Sequence, residues 1–143
     1  MPGNRQENEN KALVQRFYNE LWNRWQLDLA DEIVSEDLRF RGSLGTECEG
    51  RDEFKLYAGT VRVAFPDWDN RIDEILALGD RVVTRMMWSG THRGALGDIK
   101  PTDQRIEYAG AAFFRLNGGL IEQAWVVGDT QKLWRSLGEP GRV

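Results

Sequence analysis

The chain is short of the residues on which much enzyme chemistry rests. Its 143 residues include one histidine, His92, and one cysteine, Cys48. A zinc site needs three or four histidine or cysteine ligands, so none can be assembled from these within one chain. A disulfide framework is excluded for the same reason. Cys48 and His92 could in principle make a nucleophile and its base. The neighbours of Cys48 (Thr46, Glu47, Glu49 and Gly50) offer nothing that would stabilise a thiolate, however. Glycine-rich loops of the form GxGxxG or GxxxxGKS/T are missing, and so is a GxSxG turn.

Long apolar runs and one-sided charge are missing too. No stretch approaches the roughly 18 consecutive apolar residues of a membrane-spanning helix. The net charge is −4, from 19 basic and 23 acidic residues with no long run of either sign. That argues against nucleic acid as a partner, because such binding needs clustered Lys and Arg. The opening MPGNRQENEN lacks the charged-then-apolar order of a secretion signal, so a cytoplasmic protein is expected. Apolar residues make up 41% and charged residues 29%, the balance of a globular domain, and the length suits one domain. What chemistry remains must come from carboxylates, aromatic side chains and a shaped pocket. Six tryptophans make such a pocket plausible.

Residues 1–10 are polar and without periodicity, and are expected to be a flexible start. From Lys11, the residues Leu13, Val14, Phe17, Tyr18, Leu21, Trp22 and Trp25 fall on one helical face. A short helix fits 28–34, a strand follows in DLRFRG, and 48–51 reads as a loop around Gly50. Residues 52–65 repeat the helical pattern with Phe54, Tyr57, Ala58, Val61 and Phe65, and Pro66 closes that helix. Then the period changes to that of strands, at 70–78, 81–92, 105–116 and 120–128. Gly79-Asp80 and Asn117-Gly118-Gly119 read as hairpin turns. A loop takes 93–104, a last helix 130–137, and a tail 139–143, so a single domain covers 11–138. Helices first, then a meander, then a capping helix is an α+β order, with helices on one face of a curved sheet.

Alternation sorts the strand residues by face. Val82, Thr84, Met86, Trp88 and His92 share one side, as do Ile106, Tyr108, Gly110, Ala112 and Phe114. By the same parity Glu122 would join Ala124 and Val126 on an inner face, unless it stays at the solvated strand start. The opposite side carries Phe113, Trp125 and Val127, an apolar face that water would meet unless a partner covers it. A homodimer through the sheets is therefore expected, though a β-bulge would shift this register.

The strings GTHRG at 90–94, PTDQRIEY at 101–108, FFRLNGGLIEQAW at 113–125 and the final LWRSLG resemble the SnoaL-like polyketide cyclases of the NTF2-like superfamily. The resemblance implies a cone-shaped, mostly antiparallel α+β barrel, its concave face closed by the N-terminal helices. It also implies an apolar cavity that takes flat hydrophobic molecules with no metal or organic cofactor. Members that cyclise anthracycline precursors use an Asp, a His, a Gln and an Asn. Carried onto this sequence, those positions fall on Val126, Ala112, Gly110 and Phe40, none of which can move a proton. Three readings follow. The resemblance includes cofactor-independent hydroxylases, in which a reduced substrate activates oxygen itself, and this reading is preferred to aldol cyclisation. A cyclase or isomerase with relocated residues is the second, and a non-catalytic binding domain the third.

The residues left to carry chemistry are few. Asp129 could point into the mouth of the cone as a base, or could simply cap the last helix. His92 shares its face with Trp88 and could shuttle a proton, or could be a hydrogen-bonding residue at a strand end. Phe40, Phe54, Tyr57, Trp88 and Tyr108 are candidate walls, with Ala112 and Val126 lining the substrate site by the resemblance. Tyr18 matches the hydroxyl that stabilises an enolate in ketosteroid isomerases, but the matching base would lie near Phe40. Arg41, Arg62 and Arg85 are read as outward-facing partners of the surplus carboxylates.

Overall fold

The computed structural model describes residues 4–139. The expected flexible start is helical from Arg5 onward, and α1 spans Arg5–Arg16. Its polar opening is held by a capping box. Asn4 Oδ1 accepts the Glu7 amide at 2.8 Å, and Glu7 Oε1 accepts the Asn4 amide at 3.0 Å. Glu7 Oε2 also takes the Gly79 amide at 2.7 Å, and the buried Asn10 donates to the Gly79 carbonyl at 3.3 Å. The first helix is thus pinned to a distant strand turn by polar contacts that apolar periodicity cannot report. Residues 1–3 and 140–143, parts of the expected start and tail, lie outside the described residues.

Phe17–Trp22 continues α1 as a π-helical turn, with the Asn23 amide reaching the Tyr18 carbonyl at 2.9 Å. The wider turn buries Phe17, Tyr18, Leu21 and Trp22 together. A 3₁₀ turn, Leu27–Leu29, and α2, Ala30–Ile33, lead into β1, Val34–Arg41. The expected loop at 48–51 is instead β2, Glu47–Glu49, running directly into α3, Gly50–Ala64. Gly50 makes that junction possible, since its φ of 84° turns the chain without a linking loop. α3 buries Phe54, Ala58, Val61 and Ala64, at spacings of three and four residues. Burying one such phenylalanine contributes about 2–3 kcal/mol.

Four long strands follow: β3, Asp69–Leu78; β4, Arg81–Thr91; β5, Arg105–Asn117; and β6, Leu120–Gly128. α4, Thr130–Ser136, is the last element among the described residues. The six strands form one curved, unclosed sheet in the order β2-β1-β6-β5-β4-β3. Every pairing is antiparallel except β1 with β6. This is the α+β architecture expected from the order of elements.

The inner set on β4 and β5 is as alternation assigns it, with Val82, Thr84, Met86, Trp88, Ile106, Tyr108, Ala112 and Phe114 all buried. On β6 a bulge changes the parity. Arg115 pairs with Gln123 but Leu116 with Ile121, so Glu122 is the extra residue. Glu122 turns to Arg115 at 3.2 Å and Asn117 at 3.3 Å, while Ile121 and Ala124 both stay buried. The opposite face exposes Phe113 (47%), Trp125 (45%) and Val127 (40%).

Candidate functional site

Between the inner face of the sheet and the helices lies a narrow cavity of about 40 Å³, open at one side to solvent. The π-helical turn supplies Phe17, Tyr18 and Trp22. The end of β1 and the turn after it supply Phe40, Gly42, Ser43 and Leu44. α3 and the segment after it give Tyr57, Val61, Phe65 and Trp68; the strands give Asn70, Trp88, Tyr108 and Val126. Leu96 and Leu133 complete the wall. All three tyrosines of the chain line this space. The walls are held by ring contacts, such as Trp88 with Tyr108 at 5.4 Å and Phe40 with Tyr57 at 5.4 Å between centroids.

The polar groups on the wall are neutral. Ser43 Oγ and Tyr108 Oη share a hydrogen bond of 2.8 Å. Ser43 is placed by a tight turn in which the Gly42 amide reaches the Thr46 carbonyl at 3.0 Å. Tyr18 Oη faces the Thr84 hydroxyl, and Tyr57 Oη makes no hydrogen bond among the described residues. Asn70 commits its Nδ2 to Asn23 Oδ1 at 2.9 Å, and Asn23 returns a bond to the Asn70 carbonyl at 3.0 Å. Burial pushes the Tyr18 and Tyr57 phenols well up, and for Tyr57 the neighbouring Tyr108 and Cys48 add to it. Burial takes Tyr108 to about 12, with Ser43 opposing. All three phenols therefore stay protonated at neutral pH and act as hydrogen-bond donors.

Among the described residues, no carboxylate, imidazole, lysine or arginine lines the cavity. Asp129, expected as the catalytic base, is exposed and caps α4, its Oδ1 accepting the Lys132 amide at 3.2 Å. His92 is fully buried, but beside the cavity rather than on it. Its Nδ1 accepts the Thr102 amide at 3.2 Å and meets the Thr102 hydroxyl at 3.0 Å, and its ring lies 5.5 Å from that of Phe65. Burial lowers its pKa, against the Gly94 backbone and Asp103, so the imidazole is neutral and structural. The pair expected to do acid and base work is thus neither together nor on the cavity.

Of the expected walls, Phe40, Tyr57, Trp88, Tyr108 and Val126 line the space. Phe54 does not. It stands behind Phe40, 5.0 Å between centroids, and also packs on Phe17 and Trp22. Ala112 is buried on the inner face between Thr84 and Val126 in register and is not part of the cavity wall. Cys48 is buried in β2 and burial raises its thiol pKa, so it is not activated. Trp22, Ser43, Trp68 and Asn70 were not expected on the wall. Trp22 belongs to the apolar helical face read from the period, whereas Ser43, Trp68 and Asn70 come from loops and a strand end, where periodicity carries no signal.

The model of the SnoaL-like polyketide cyclase family matches residues 12–137. The chain belongs to this family. Among solved structures, a proposed SnoaL-like polyketide cyclase from Jannaschia sp. CCS1 matches with a TM-score of 0.90 at 18% identity, covering 98% of this chain and 99% of that one. AclR, a proposed hydroxylase from Streptomyces galilaeus, matches with a TM-score of 0.80 at 30% identity, covering 96% and 85%. IdmH, a proposed polyketide cyclase from Streptomyces antibioticus, matches with a TM-score of 0.78 at 22% identity, covering 90% and 98%. No curated protein matches the sequence. Set within the SnoaL-like fold, the four positions carried over from the cyclases lie in or next to this site. Val126 and Phe40 are on the cavity wall, and Ala112 and Gly110 on the strand beside it.

Proposed function

We propose that this SnoaL-like protein is a cofactor-independent hydroxylase of a flat polycyclic aromatic polyketide, bound in the tyrosine-lined cavity. The observation that carries the reading is a cavity wall rich in aromatic rings and neutral hydroxyls and, among the described residues, without a carboxylate or imidazole. An aldol closure needs a base beside the substrate carbon. A reduced, electron-rich substrate needs orientation and hydrogen bonds to its oxygens instead. The 30% identity to AclR supports the same choice.

The reaction balances without an external reductant. A quinol with one ring C–H bond and molecular oxygen give the ring-hydroxylated quinone and one water. Two electrons come from oxidation of the quinol and two from the C–H bond, and together they reduce both oxygen atoms. The test is anaerobic incubation with a reduced hydroxyanthraquinone, followed by a pulse of labelled oxygen. One labelled hydroxyl per oxygen consumed is the expected result. A cyclised product without label, or tight binding with no product, would overturn the reading in favour of a cyclase or a carrier respectively.

The outer face fits a second copy of the chain. Phe113 and Trp125 are directly paired across β5 and β6, and Val127 extends the same apolar strip. Pairing two such faces would remove these side chains from water.

A further inference from the structure

The cavity carries its hydroxyls unevenly, and one end of it has the makings of an anion site. Tyr57 Oη sits against Gly42, where a β-carbon on residue 42 would lie only 2.8 Å from Tyr57 Cζ. Ser43, the next residue, holds Tyr108 Oη at 2.8 Å. Three hydroxyls from α3, β5 and the turn after β1 thus gather around one short backbone segment. In the Ser43–Tyr108 pair one hydroxyl donates to the other, and the acceptor's own proton stays free. If Ser43 donates, the free proton belongs to the phenol, the stronger donor, and the bond it accepts strengthens it further. Tyr57 Oη has no partner among the described residues and offers a second free donor. Among the described residues no cation lines the cavity, so negative charge there is met by these neutral donors.

The geometry points to a donor cluster in which Tyr57 and Tyr108, with Ser43 behind Tyr108, receive one oxygen of the ligand and favour its phenolate or enolate form. This deepens the proposed function and rests on it. It defines the substrate as a flat molecule with an acidic hydroxyl or an enolisable carbonyl at one end, because an unsubstituted hydrocarbon would leave the donors unpaired. It also assigns a part to the protein in oxygen activation, since an ionised quinol or phenol yields electrons more readily than a neutral one. Tyr57 and Tyr108 are in this view substrate-binding residues, and Ser43 is a positioning residue. The other titratable groups near Tyr57 are Cys48, whose thiol burial keeps neutral, and Tyr18, whose phenol burial keeps protonated.

The test uses 2-hydroxyanthraquinone, whose colour changes on ionisation, with anthracene as the oxygen-free control. Apolar burial alone raises the pKa of a bound phenol, whereas donors to its oxygen lower it. The bound probe should ionise at least tenfold more readily in the native protein than in Tyr57→Phe or Tyr108→Phe. Ser43→Ala should lose a smaller part, and the shift should change little with salt. Gly42→Ala, which keeps every hydroxyl but displaces Tyr57, should behave like Tyr57→Phe. Equal ionisation in native and variant proteins that retain the native circular dichroism would overturn the cluster while leaving the cavity as a binding site. Equal affinity for anthracene and the hydroxylated probe would do the same. Failure of both probes to bind would overturn the cavity reading itself.

Discussion

The indole of Trp88 fills the space that any side chain at position 110 would need. A β-carbon on Gly110 would run into Trp88 Cζ3 and the Val127 carbonyl, and would lie 2.8 Å from the Gly128 Cα. The resemblance to the cyclases puts a polar amide at position 110, and in this chain a tryptophan on the neighbouring strand fills that space.

Gly110→Ala should therefore destabilise the protein by about 3 kcal/mol, because two of the three contacts are backbone and cannot swing aside. Urea denaturation would show this as a lower midpoint. An unchanged midpoint would mean that the strands β5 and β6 can separate locally at little cost.

Asp129→Ala removes the cap of α4 and nothing from the cavity. The expected loss is about 1 kcal/mol of stability, with ligand affinity and turnover unchanged. A tenfold fall in turnover at unaltered stability would restore Asp129 to the catalytic role that its sequence position suggested.

His92 gives the fold a defined response to acid. Burial depresses its pKa below the ordinary value of 6.5, so the unfolded chain takes up this proton at a higher pH than the folded one does. Stability is complete above about pH 6.5 and falls as the pH drops toward the folded value, by at most about 1.4 kcal/mol per pH unit from this group. Protonation would also cost the bond that Nδ1 accepts from the Thr102 amide. Melting curves between about pH 7.5 and pH 5.5 should show a steeper loss for the native chain than for His92→Gln. Parallel curves would assign the acid sensitivity to the carboxylates.

Trp125→Glu tests the outer face. The native chain should sediment as a dimer and the variant as a monomer with its cavity intact. A native monomer at micromolar concentration would mean that Phe113, Trp125 and Val127 face water or a different partner.

Much of the fold could be read from particular residues. Val82, Met86, Trp88 and Phe114 alternate as a half-buried sheet must, and Phe54, Ala58 and Val61 recur as a buried helix face must. Polar devices were harder to read. The start at Arg5 depends on Asn4 and Glu7, and the parity of β6 depends on one inserted residue, Glu122, that leaves no mark on composition. The site was legible in its aromatic half only. Tyr57, Trp88, Tyr108 and Phe40 lie on regular elements, so their direction follows from period. Ser43, Asn70 and Trp68 are aimed by turns and strand ends, whose geometry is set by tertiary contacts. Asp129 takes the cap, one of the two roles open to it in the sequence, because the chain turns after β6 to begin α4.

The π-helical turn at Phe17–Trp22 has a consequence for how the chain tolerates change in length. A π-turn holds one residue more than the α-turn it replaces, so the segment before it and the segment after it run one residue out of step. Deleting a single residue between Tyr18 and Trp22 would let the helix close as an ordinary one and rotate Trp22 away from the cavity, while α1 kept its clasp on Gly79. The ceiling of the cavity is in this sense kept open by a one-residue surplus in the helix above it.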